Sequence, residues 1–137
     1  MTSKVIYKGE LETICIHLKS GQEIRTDAPP DNNGKGSAFS PTDLTATSLA
    51  ACMLTVMGIW ARDNGVDMDG ASAEVTKHMA SDPRRISGID VKITMPDKIY
   101  SEREKSILTK IAHTCPVAQS LHPDLNQHIV ILWQDPS

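Results

Sequence analysis

The stretch SPTDLTATSLAACMLTVMGIWARDNG, Ser40 to Gly65, decides the architecture. It opens with the marks of a helix start. Ser40 suits the N-cap, Pro41 falls at the first helical position, where a missing N–H costs nothing, and Asp43 completes an acidic capping box. It closes on Asn64-Gly65, and glycine is the common left-handed stop. Between those signals the apolar side chains run all the way round. At about 100° per residue, Leu49, Met53 and Trp60 fall on one side, and Ala50, Leu54 and Ala61 on another. Leu44 and Ile59 take much of what remains. A helix apolar on every side is a buried helix. One chain of this size covers one side with its own sheet and has little left for the other. The pattern therefore predicts an isologous two-fold dimer with these helices packed centrally. The small residues Ala46, Ala50, Ala51 and Gly58 permit close approach.

Strands precede and follow this helix. Lys4 to Lys8 and Leu11 to Lys19 read as two strands joined at Gly9, with Ile14, Ile16 and Leu18 alternating against Thr13, Cys15 and His17. Gln22 to Thr26 follows the Ser20-Gly21 turn as a third strand. Asp27 to Ser40 is dense in Pro, Gly, Asn and Asp and reads as a long surface loop. After the helix, Ala71–Ala80 and Ile86–Met95 are strands. Ser101 and Glu104 form a capping box opening a second helix with Ile107, Leu108 and Ile111 as its stripe. A short helix from Pro116 to about Leu121 and a last strand, His128 to Trp133, complete the chain. The order β-β-β-α-β-β-α-β is α+β rather than parallel α/β, and residues 1–137 read as a single domain.

Composition removes several classes of function. The 137 residues are 39% apolar and 23% charged, as expected of a folded chain rather than a disordered one. A net charge of -3 offers nucleic acid and anionic membranes no attraction, and five aromatic residues make a poor base-stacking platform. No apolar run long enough for a membrane span stands free of polar breaks, and no signal-peptide pattern opens the chain, so the expected location is the cytoplasm.

Three cysteines at wide separations do not make a secreted disulfide scaffold, so each is either buried and inert or chemically employed. Cys52 lies about 16 Å along the long helix, too far for the helix dipole to acidify it. Cys115 stands in HTCPVAQSLHP, where Pro116 at the first helical position makes it an N-cap, which favours its thiolate, with His113 nearby in sequence. Cys15 alternates with core isoleucines and reads as structural. Taken singly, packing explains Cys52 and capping explains Cys115.

Together, SPTDLTATSLAAC and CPVAQSL, in this order and at this length, resemble the osmotically inducible protein C and organic hydroperoxide resistance proteins, the OsmC-like superfamily. The resemblance implies an OsmC-like α+β fold, with an antiparallel sheet, a long central helix and an intertwined homodimer with its active sites at the interface. It implies reduction of organic hydroperoxides, with dithiols such as lipoyl groups as reductant and no cofactor. Cys52 matches the peroxidatic cysteine and Cys115 the resolving one. The family also uses an Arg that stabilises the thiolate, for which Arg25 is the candidate, and a Glu that holds the Arg. That Glu stands ten residues before the first Cys, where this chain has Thr42. Asp43, nine before, falls on the opposite side of the helix from Cys52 and reads as a cap. The departure resembles the less-characterised branch of the superfamily.

On this reading a hydroperoxide enters an apolar pocket where Leu49, Met53, Val56 and Ile59 contact its organic part. Cys52 becomes a sulfenic acid, and Cys115 condenses with it to a disulfide that the external dithiol reopens. One alternative is a non-catalytic dimer that senses oxidants or binds a small molecule. Another is a metal site from His113, Cys115, His122, His128 and Cys52, whose spacing matches no tight zinc pattern; the preferred reading has no metal.

Overall fold

The computed structural model describes residues 1–135, and the chain divides into two compact units, residues 1–45 and residues from 46 on. The first unit is built on three antiparallel strands in the order β1 (Ser3–Gly9), β2 (Glu12–His17) and β3 (Glu23–Asp27). Val5 and Ile24 both pair with Cys15, and Ile14 pairs with Arg25. The predicted alternation is present, but neither face is closed over. Val5, Ile6, Tyr7, Leu18 and Ile24 are exposed, and the β2 side chains are no more than half-buried apart from exposed His17.

The loop after β3 is organised by Asp27, which is fully buried. One of its oxygens, Oδ2, accepts both the Ser37 N–H (3.1 Å) and the Ser37 hydroxyl (2.6 Å), while its backbone N–H donates to the Phe39 carbonyl (3.0 Å). The hydroxyl and then the amide of Ser37 hold its carboxyl below the usual range, with a smaller contribution from the Lys35 charge, so it stays ionised. Gly34 sits so close to the chain that a Cβ there would stand 1.8 Å from the Ala28 carbonyl oxygen. The unit ends in the reciprocal cap foreseen for the long helix. The Ser40 hydroxyl accepts the Asp43 N–H (3.0 Å), and the Asp43 carboxylate accepts the Ser40 N–H (3.0 Å).

The second unit takes most of that helix, α1 (Pro41–Asp63), which stops where Gly65 enters the left-handed region at φ 67. With it come β4 (Ser72–Ala80), β5 (Arg85–Thr94), α2 (Glu102–His113), α3 (Pro116–Ser120) and β6 (Asn126–Leu132). The α+β fold with its long helix is as expected, but the strands are not all antiparallel as the resemblance implied. Among the described residues they form two three-stranded sheets, and in the second β5 pairs antiparallel with β4 but parallel with β6. The helical connection through α2 and α3 returns the chain in the same direction, as a parallel pair requires.

Among the described residues, every buried apolar side chain belongs to this second unit. Leu49, Met53 and Met57 of α1, Ile89 and Ile93 of β5 and Leu108 of α2 are completely enclosed. α1 is long and apolar enough to cross a membrane, yet these positions are the core of the unit. Its predicted all-round burial is not met within one chain. Ala51, Thr55 and Ile59, spaced as one stripe, are exposed, with Ile59 at 47%. The α2 capping box forms as read. Ser101 Oγ accepts the Glu104 N–H (3.1 Å), and the Glu104 carboxylate accepts the Ser101 N–H (2.8 Å).

Candidate functional site: a thiol pair in the second unit

Two successive caps fix Cys115. The Thr114 N–H closes the last turn of α2 on the Ile111 carbonyl (3.2 Å), and its hydroxyl donates to the Lys110 carbonyl (2.9 Å). The next residue, Cys115, is already extended (φ -65, ψ 156) and caps α3, with Pro116 supplying the preset first helical φ. Its sulfur accepts the Ala118 N–H at 3.4 Å, and its carbonyl takes the Gln119 N–H at 3.0 Å. Two contacts hold this corner in place. Leu108 and Ala112 bury one face of α2 in the core, and the Gln127 amide donates to the Ala118 carbonyl (3.0 Å), tying α3 to β6.

Cys115 is 1% exposed, whereas Cys52, midway along α1, is half-buried against the core. The two side chains are close enough for Cys52 to act on the ionisation of Cys115. The structure thus brings together the two thiols singled out in the sequence, as side-chain neighbours from segments far apart in the chain. The ionisation of Cys115 departs from expectation. Burial pushes its thiol above the ordinary 9.0, and the Ala118 N–H pulls it down by less. The hydrogen bond and charge of Cys52 push it up again. The cap is present, but burial outweighs it, so this sulfur keeps its proton at neutral pH.

The remaining candidates take clear positions. Exposed His113 turns away, its Nδ1–H donating to the Thr109 carbonyl at 2.8 Å. Among the described residues no three His, Cys, Asp or Glu side chains converge in a way that would hold a metal ion, so the alternative set of His113, Cys115, His122, His128 and Cys52 does not assemble. Leu49 and Met53 have no exposed surface, while half-buried Val56 and exposed Ile59 have surface to offer a ligand. Cys15 belongs to the first unit, outside the core that the sequence suggested for it. It lines an open cavity of about 440 Å³ with Ser3, His17, Ser20 and Ile24.

Arg25, also in the first unit, is held at three points. Its guanidinium donates to Glu12 Oε1 (2.7 Å), the Ser37 hydroxyl (3.1 Å) and the Ser37 carbonyl (3.1 Å). The Arg25 hydrogen bond first, and Lys35 second, keep the Glu12 carboxyl below its usual range. Sequence reasoning missed Glu12. With Ile14 opposite Arg25 and Glu12 opposite Asp27, Glu12 and Arg25 share a face as a diagonal pair, which needs the strand register to see.

Neighbouring helix-borne and cap-borne thiols thus sit in a unit built on a three-stranded sheet, in a chain of α+β class. A family model described as OsmC-like protein matches residues 34–128. The chain belongs to the OsmC-like family. A structure from Psychrobacter arcticus 273-4, provisionally described as an osmotic stress induced and detoxification response protein, is 56% identical. The match covers 96% of this chain and 95% of that one, at a TM-score of 0.92. The fold is also that of an organic hydroperoxide resistance protein OsmC from Legionella pneumophila, 16% identical, with 97% and 98% covered and a TM-score of 0.75. It recurs in the organic hydroperoxide resistance protein OhrB of Bacillus subtilis, 17% identical, with 96% and 98% covered and a TM-score of 0.67. No functionally curated protein gives a match.

Proposed function

We propose that this protein reduces organic hydroperoxides in defence against oxidative stress, with Cys52 as the peroxidatic and Cys115 as the resolving thiol. The observation that supports the reading is that the Cys52 and Cys115 side chains are neighbours, close enough for Cys52 to act on the ionisation of Cys115. A disulfide needs Cα atoms within ~7 Å, and an unresolved sulfenic acid over-oxidises irreversibly. Cys52 thiolate attacks the peroxide, alcohol leaves, Cys115 closes the disulfide, and an external dithiol, such as a lipoyl group, restores both thiols by exchange. Val56 and Ile59 contact the organic part of the substrate, with Leu49 and Met53 behind them, and Arg25 serves the Cys52 thiolate. No cofactor is required.

The working form is an intertwined homodimer. Its support is the uncovered α1 stripe of Ala51, Thr55 and Ile59, together with a first unit whose three strands have no core of their own. A three-stranded sheet with its apolar residues in water calls for a cover, and a second copy presents the same need. Three unpaired thiols suit a reducing compartment, and the proposed location is the cytoplasm.

Thiol titration before and after one equivalent of cumene hydroperoxide tests the chemistry. Loss of two thiols per chain, abolished by Cys52→Ser, is the expected result; unchanged thiols would sink it. A sensor is the second reading, because Thr42 stands where the family's Arg-holding Glu would be. Steady-state turnover with a dithiol separates the two, since a sensor oxidises once and stops.

A further inference from the structure

We propose that Cys115 acts before it resolves: its S–H delivers the proton that the leaving alkoxide needs when Cys52 attacks the peroxide. The inference rests on the peroxidase reading above and adds a catalytic role within it. Attack of a thiolate on an O–O bond expels an alkoxide, a strong base, so the step is slow without a proton donor beside the departing oxygen.

Three features fit Cys115 to that task. Its side chain neighbours that of Cys52, whose sulfur attacks the peroxide. It is almost wholly enclosed, at 1% exposure, so the proton it holds is not traded freely with water. Burial also keeps it in the thiol form at neutral pH, when a sulfur acting only as the second nucleophile would be better off ionised. The Ala118 N–H at 3.4 Å is already in place to receive the charge that appears once the proton leaves. His113, the other titratable group close in sequence, has its Nδ1 committed to Thr109.

The steps balance. The Cys52 sulfur gives two electrons to the distal oxygen, and an S–O bond forms as O–O breaks. The alkoxide takes the Cys115 proton and departs as alcohol. Cys52 is then a sulfenic acid and Cys115 a thiolate. That thiolate attacks the Cys52 sulfur, S–S forms, S–O breaks, and hydroxide leaves to take a proton from solvent as water. One proton transfer thus completes the first step and arms the nucleophile of the second.

The test is single-turnover alcohol release on mixing reduced protein with one equivalent of hydroperoxide, across a series whose leaving alcohols differ in acidity. Cys115→Ala should slow the first step at least tenfold for tert-butyl hydroperoxide, against the range of about 10²–10⁴ for general acids. The deficit should shrink towards none for a peroxyacid, whose leaving carboxylate needs no proton. Cys115→Ser, which keeps an O–H in place, should recover part of the rate while still failing to close a disulfide. First-step rates equal to wild type in Cys115→Ala would reduce Cys115 to a resolving thiol and overturn the proposal. So would a deficit equal for every leaving group, the mark of a merely structural effect. Failure of wild-type Cys52 to react with any member of the series would instead remove the peroxidase reading on which the proposal stands.

Discussion

Closing the Cys52–Cys115 disulfide should harden the chain against unfolding by an amount set by their separation. Roughly sixty residues lie between the two cysteines, and the chain-entropy estimate for a loop of that size is about 4 kcal/mol at 25 °C. Little strain should be subtracted, because the two side chains are already neighbours in the reduced chain. For a domain of this length 1 kcal/mol moves Tm by about 3–5 °C, so the oxidised protein should melt roughly 12–20 °C higher. In urea the midpoint should rise while the slope falls, because the cross-linked unfolded chain is more compact. The comparison is made in a Cys15→Ser background, at fixed protein concentration because assembly shifts apparent stability, with mass spectrometry locating the bond. An oxidised protein carrying the verified 52–115 link that melts at or below the reduced one would refute the geometry. A link joining two different chains would refute it equally.

Three further outcomes are expected. The folded chain holds the Cys115 proton more tightly than the unfolded chain, so it binds more protons above pH 9.0 and loses stability as pH rises through that range. Melting scans on reduced protein should show that decline in wild type and a flatter profile in Cys115→Ala; parallel profiles would contradict it. Arg25→Met should leave the melting temperature nearly unchanged, since the side chain is 43% exposed, while slowing single-turnover oxidation of Cys52 on the order of a hundredfold. Equal rates would take Arg25 out of the reaction. Ser101→Ala removes one half of the α2 capping box and should cost about 1 kcal/mol, read as a fall of a few degrees in Tm; an unchanged Tm would mean the box contributes nothing.

Local signals in the sequence located the elements closely. Ser40, Pro41 and Asp43 mark the start of α1, Gly65 its end, Ser101 and Glu104 the start of α2, and Pro116 that of α3, because caps and stops act through neighbouring backbone groups. What sequence did not reveal depends on distant partners. Alternation in β2 says that its two faces differ, not that a core waits on either, and the first unit has none. The direction of β6 follows from the α2–α3 crossover, and the Glu12–Arg25 pair from strand register. For the thiols, the sequence displays the N-cap of Cys115 but not the burial that outweighs it, so the cap was legible and the proton balance was not.

The crossover has a consequence for how much of the chain the thiol pair depends on. β6 pairs with β5, and the Gln127 amide holds α3, so the segment carrying Cys115 is seated by a strand that follows it in sequence. A chain cut short before Asn126 would lose both of those ties.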